Sequence, residues 1–137
     1  MNENCVFCQI IRKEAPSSVV FEDAEVVAFM DIRPVAEGHT LVIPRQHYVD
    51  IYDTPEEVVA NIHKITKRVA NAVKKATGAD GISIVQQNGK AAGQDIFHIH
   101  IHVIPRFEGQ KMPRFGDLRA ANRKRLDQAA ANIRKHL

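Results

Sequence analysis

Three of the chain's seven histidines, His98, His100 and His102, stand at every second position of Phe97-His98-Ile99-His100-Ile101-His102-Val103-Ile104-Pro105-Arg106. The residues between them are aromatic or β-branched, types that suit a pleated, half-buried backbone. Side chains of a strand alternate faces, so the spacing predicts a strand with the three histidines on one face. Phe97, Ile99, Ile101 and Val103 share the other and are expected to pack in a core. One face then carries chemistry, and the rest of the chain must cover the other.

At 137 residues and 45% apolar composition the chain has the size of one domain with one core. No run approaches the roughly 18 to 20 apolar residues that span a membrane, and Met1-Asn2-Glu3-Asn4 lacks a basic-then-apolar leader, so the expectation is a cytoplasmic protein without a membrane partner. The formal charge of +3 is uneven: residues 111–137 hold eight Lys/Arg against Asp117 and Asp127. Such a basic tail leaves contact with nucleic acid open, although a solvated helix face is the simpler reading. Cys5 and Cys8 are the only cysteines. Their C-x-x-C spacing suits a redox pair, half of a tetrahedral metal site, or two reduced buried thiols.

Segments 19–22, 26–30 and 40–44 read as a meander of short strands after a helical turn within 5–14. Thr54-Pro55-Glu56-Glu57 reads as a capping box with Thr54 at N-cap. It opens a long helix with apolar residues at 58, 62, 65, 69, 73 and 76, closed by Gly78 with Lys74 and Lys75 in the last turn. Residues 81–87 alternate as a strand. The polar loop 88–95 follows, and the histidine strand is expected to pair antiparallel with the strand before that loop. A further helix is expected over about 116–136, with Leu118, Leu126, Ile133 and Leu137 on one face. The order of elements gives an α+β domain.

Three imidazoles on one face can bind a metal or act on an anion. All three on one ion is unfavourable, because His98 and His102 lie about 13 Å apart along a strand while metal–nitrogen bonds are about 2 Å; two of them with ligands from elsewhere remain possible. Crowded imidazoles also oppose one another's charging, and a neutral imidazole is a competent nucleophile toward phosphorus. Asn88, Gln94 and the N–H groups around Gly93, just upstream, are donors suited to phosphate oxygens.

The run from His98 to Ile104 resembles the H-φ-H-φ-H-φ-φ motif of the histidine triad (HIT) family. Cys5 to Ile11, Phe29 with Asp31, Gly38 to His47, Asn88-Gly89 and Gly93-Gln94 resemble further family elements in the same order. The likeness covers about residues 5 to 106 and is closest to the bacterial Hit branch. It implies a HIT domain over 1–110 and a sheet continued across a homodimer; residues 111–137 lie outside the likeness and are expected, from their own pattern, as a basic helical extension packed on or beside the domain.

The resemblance also implies a hydrolase or transferase that cleaves a nucleoside 5'-monophosphate, purine-preferring, from an amine or other group through a covalent nucleotidyl-histidine. His100 would be the nucleophile, His102 would contact the α-phosphate and His98 would support the site. Asn88, Gly93 and Gln94 would hold the phosphate, and Asp31 the ribose hydroxyls. Phe7, Ile10, Phe29 and Ile32 fall where relatives form the base pocket. Taken alone, Phe7 and Phe29 suit core packing equally, and Asp31 suits a turn. In some bacterial relatives the C-x-x-C joins two histidines in a structural zinc site, here Cys5, Cys8, His47 and His98, leaving catalysis itself without a cofactor. Asp95 departs from the family, where Ser or Thr is usual; its carboxylate either turns outward or serves as a proton donor to the leaving group. The competing functions are hydrolysis of dinucleoside polyphosphates and a non-enzymatic nucleotide-binding or regulatory module.

Overall fold

A computed structural model of the chain describes residues 3–113 and 118–137. The elements are α1 (Val6–Ile11), β1 (Val19–Glu22), β2 (Val26–Met30), β3 (Thr40–Pro44), α2 (Glu56–Thr77), β4 (Gly81–Val85), a 3-10 turn (Lys90–Ala92), β5 (Ile101–Arg106) and α3 (Arg123–Arg134). The fold is α+β, with one five-stranded antiparallel sheet in the order β1-β2-β3-β5-β4.

The three early strands fall where the residue pattern places them. They do not continue as a simple meander into the later pair, because β5 inserts between β3 and β4. Burial explains that order: Ile101 to Pro105 are buried, as suits a central strand, whereas the residues of β4 are half-buried or exposed, as suits an edge. On one face Ile62, Ile65, Val69 and Val73 of α2 and Leu126, Ala130 and Ile133 of α3 pack against Val42, Ile101 and Val103. On the other face α1 lays Phe7 and Cys8 against Val27, Phe29, Leu41 and Ile43. Burying each large aliphatic side chain contributes about 1.5 to 3 kcal/mol, so the sheet is held from both sides.

Helix α2 ends as expected, with Gly78 in the left-handed region at φ 69° and its N–H bonded to the Lys74 carbonyl. Its start differs. Pro55 is the N-cap and no side chain caps the helix, because the Thr54 hydroxyl donates instead to the Asp50 carbonyl at 2.6 Å. Glu56 and Glu57 still place negative charge at the positive end of the helix. The tail helix is shorter than expected, beginning at Arg123 with Asn122 as N-cap, whose side chain accepts the Arg125 N–H. Leu126 and Ile133 are buried on it, Leu118 precedes it and Leu137 is exposed beyond its end; residues 116–117 of the expected span lie outside the described residues.

Candidate active site

The ladder of β5 begins only at Ile101, so His98 and His100 precede the strand and only His102 belongs to it. The alternation nevertheless holds through this extended approach: Ile99, Ile101 and Val103 enter the core, and His98, His100 and His102 are buried on the opposite face. Phe97 breaks from the expected pattern and is 47% exposed, since it lies in the bend before the ladder starts.

Each imidazole has a tautomer dictated by its partners. His100 Nδ1–H donates to the carbonyl oxygen of His98 at 2.7 Å, which leaves the lone pair on Nε2. His98 Nε2–H donates to the Pro44 carbonyl at 2.9 Å, leaving its lone pair on Nδ1. His39, absent from the candidate residues, is fully buried; its Nδ1 accepts the Val35 N–H at 3.0 Å, so its proton sits on Nε2. That proton points at His102 Nδ1, 2.9 Å away, so the proton of neutral His102 sits on Nε2. Burial pushes His39 down to about 3 and His98 and His102 down to about 4, and lowers His100 as well. All four are neutral at pH 7, and His100 offers a lone pair where His102 offers an N–H.

Asp31 follows β2, with Oδ2 3.4 Å from His39 Nε2 and 3.9 Å from His102 Nδ1. Burial raises its carboxyl to about 6, helped by the charge of Asp95 and opposed by the N–H of Arg33. Asp95 Oδ1 lies 3.9 Å from His100 Nε2, and its side chain is 77% exposed. Gly93, at φ 97°, faces Gln87 so closely that an added Cβ would lie 2.7 Å from the Gln87 carboxamide. Gln94 and Asn88 turn to the loop itself. Gln94 accepts the Gly89 N–H at 2.7 Å and donates to the Val49 carbonyl at 2.6 Å, while Asn88 Oδ1 accepts the Ile51 N–H at 2.9 Å. Neither side chain lines the cavity, although Gly93, Asp95 and Gln87 do.

That cavity, about 710 Å³, brings together His100, His102, Asp31, Phe7, Ile10, Phe29 and Ile32. The volume lies within the range of small-molecule sites. The Phe7 ring meets His100 edge-on at 5.3 Å and Phe29 at 5.3 Å, so it serves core and cavity together. Leu118, expected on the apolar face of the tail helix, and Arg123, expected on its basic face, also line it.

Behind the cavity, Cys5, Cys8, His47 and His98 bring their donor atoms within 4.8 Å of one another. His98 Nδ1 lies 3.2 Å from His47 Nδ1, 3.5 Å from Cys5 Sγ and 3.6 Å from Cys8 Sγ, and Cys8 Sγ lies 3.3 Å from His47 Nδ1. Bond lengths of about 2.0 and 2.3 Å at tetrahedral angles require donor separations of roughly 3.3 to 3.6 Å for these pairs. The lone pair of His98 also faces inward, so the set fits a zinc ion. Asp31, His39 and His102 also cluster within 4.8 Å, but the only lone-pair nitrogen of neutral His39 is already occupied by the Val35 N–H. In that trio His39 donates to His102, and the Asp31 carboxylate lies beside the pair.

A HIT domain profile matches residues 12–109. Among curated proteins the chain is 40% identical over 141 residues to the adenylylsulfatase HINT3 of Arabidopsis thaliana, covering 100% of this chain and 71% of that one. Among solved structures, a Hit-like protein from Bartonella henselae is 41% identical with a TM-score of 0.91, covering 100% and 99% of the two chains. A zinc-bound histidine triad family protein from Mycobacterium smegmatis is 40% identical with a TM-score of 0.86, covering 97% and 92%.

Proposed function

The chain belongs to the HIT family, and from that premise we propose that it cleaves a purine nucleoside 5'-monophosphate from an amine at the α-phosphate, through a nucleotidyl-histidine on His100. The observation that carries this reading is the 2.7 Å bond from His100 Nδ1–H to the His98 carbonyl, which puts a neutral lone pair at Nε2 in the cavity. In the first step Nε2 attacks phosphorus and the phosphorus–nitrogen bond of the substrate breaks as the amine takes up a proton. Water then cleaves the phosphorus–imidazole bond and releases the nucleoside monophosphate. His102 Nε2–H and the loop N–H groups beside Gly93 stabilise the nonbridging oxygens. Asp31 accepts from the ribose hydroxyls, and Phe7, Ile10, Phe29 and Ile32 enclose the base. Likeness to a protein named an adenylylsulfatase supports a nucleotide substrate.

Hydrolysis of dinucleoside polyphosphates is the weaker reading, because the exposed Asp95 carboxylate 3.9 Å from Nε2 repels an anionic tail. In the same proposal Cys5, Cys8, His47 and His98 hold a structural zinc whose four protein ligands leave no position for water. The protein pairs as a homodimer through its sheet. No helix among the described residues is long and apolar enough to cross a membrane.

Mass spectrometry of quenched turnover on adenosine 5'-phosphoramidate tests the reading. A nucleotidyl adduct on the peptide carrying residues 98–102, lost in His100→Ala together with turnover, is the expected result. Wild-type protein that binds AMP but turns over neither the phosphoramidate nor a diadenosine polyphosphate is a binding module, and the enzyme reading fails.

A further inference from the structure

The family profile ends at residue 109, yet the cavity that holds His100 and His102 is completed by Leu118 and Arg123. This part of the tail is fixed to the domain. The Ala121 N–H donates to the Ile32 carbonyl at 2.8 Å, and Arg134 Nη1 donates to the Val19 carbonyl at 2.6 Å. Arg123 Nη1–H donates to Ser18 Oγ at 2.7 Å, and the Ser18 hydroxyl itself donates to Asp127 Oδ1 at 2.6 Å. Asp127 therefore takes the only proton of Ser18 and leaves its lone pairs for the guanidinium. Ser18 is buried, so the bond holds Arg123 in one place on the cavity wall.

Where that place lies follows from the sheet. Ser18 directly precedes β1, and β1 stands three strand spacings, roughly 14 Å, from β5. The Met30 N–H also donates to the Ser18 carbonyl at 2.9 Å, so the bonds of Ser18 and Ala121 anchor Arg123 beside the residues that flank Asp31, at the nucleoside end of the cavity, where the edge of a base comes within reach.

We infer that Arg123 reads this edge and selects 6-oxopurine nucleotides over 6-aminopurine ones; the inference rests on the nucleotide reading above. A guanidinium offers only donors, arranged as a planar fork. Guanine and hypoxanthine present O6 and N7, two adjacent acceptors that match the fork, whereas adenine replaces O6 with an amino group that confronts a donor with a donor. The surrounding Phe7, Phe29 and Ile32 side chains bury the base without telling one purine from another.

Calorimetric titration of the full chain with IMP, GMP and AMP tests the inference, the IMP and AMP pair isolating the 6-substituent. Wild-type protein is expected to bind IMP and GMP about tenfold tighter than AMP. Arg123→Met should bring the IMP to AMP ratio close to unity, and Arg123→Lys, which keeps the charge and loses the fork, should also lose most of the discrimination while remaining folded by thermal melt. Equal wild-type affinity for IMP and AMP overturns the inference, as does a ratio unchanged in both variants. Failure to bind any of the three nucleotides instead removes the nucleotide reading on which it stands.

Discussion

His39 Nε2 and His102 Nδ1 lie 2.9 Å apart, and the direction of that bond is set from outside the pair by the Val35 N–H at His39 Nδ1. His39 thereby fixes the tautomer of His102, which lines the cavity, with its proton on Nε2. Replacing His39 with Leu frees His102 to adopt either tautomer and strips a buried nitrogen of its partner, a loss of about 1 to 3 kcal/mol. Steady-state kinetics on the phosphoramidate should show kcat/KM reduced roughly tenfold to a hundredfold. Gln at this position offers an oxygen to Val35 and an N–H to His102, so His39→Gln should recover much of the rate. Leu and Gln variants that both match wild type would deny His39 any part in positioning.

Asp31 gives a pH signature of stability. Its folded pKa of about 6 lies above its ordinary value because burial disfavours the charge. Between about pH 4 and 6 the folded state therefore binds more protons than the unfolded one. Stability from this group falls as pH rises through that window, and the penalty is complete above it. The histidines act oppositely: with folded values near 3 to 4, stability is lost as pH falls from about 6.5. The difference between wild type and Asp31→Asn isolates the carboxyl. Thermal melts should show Asp31→Asn more stable by on the order of 2 kcal/mol at pH 7 and matched to wild type at pH 4, while nucleotide affinity falls. A variant less stable at pH 7 would contradict the assignment.

The histidine face, the three early strands and the αL end of α2 are written in local periodicity, which residue spacing reports directly. Strand order is not local. Whether β5 lies beside β3 depends on burial on both faces, and His39 becomes a neighbour of His102 only through the register that sets Thr40 against Val103. The Thr54 capping box failed because a bond to the preceding turn at Asp50 competed for the same hydroxyl. Arg123 was hidden for a related reason: its partner Ser18 is 105 residues away, and a basic residue on a basic helix gives no sign of facing inward.

Zinc should behave as a structural element. Cys8 contacts His47 and His98 from α1, so an ion there ties the first helix to the sheet. Metal analysis is expected to find one zinc per chain. At a hundred to a thousand times its dissociation constant the ion adds about 3 to 4 kcal/mol, so chelation should lower Tm by roughly 10 °C. Phosphoramidate cleavage measured below the new Tm should persist. Activity that vanishes on chelation while the fold survives would make the ion a participant in the chemistry.

The two sheet edges differ. At β1 the Val19 carbonyl is bonded by Arg134 of α3, whereas β4 carries Ile84 at 45% exposure. An apolar exposed edge invites strand pairing. Light scattering should give twice the chain mass for wild type and a single chain mass for Ile84→Lys, whose charge would be buried against its own copy. A dimer that survives this change places the interface elsewhere.

Asp95 faces His100 Nε2 across 3.9 Å, yet most of its side chain is in solvent and its Oδ1 accepts the Ile96 N–H. A carboxylate so placed discourages anionic leaving groups and favours amines, above all cationic ones. Asp95→Ser should therefore narrow the preference: the rate on a diadenosine polyphosphate rises relative to that on a phosphoramidate bearing a lysine-like amine. If the carboxyl also passes a proton to the departing amine, the acid limb of the kcat profile moves in the variant. Unchanged rates on both substrates, with the same pH profile, would leave Asp95 without a role in the reaction.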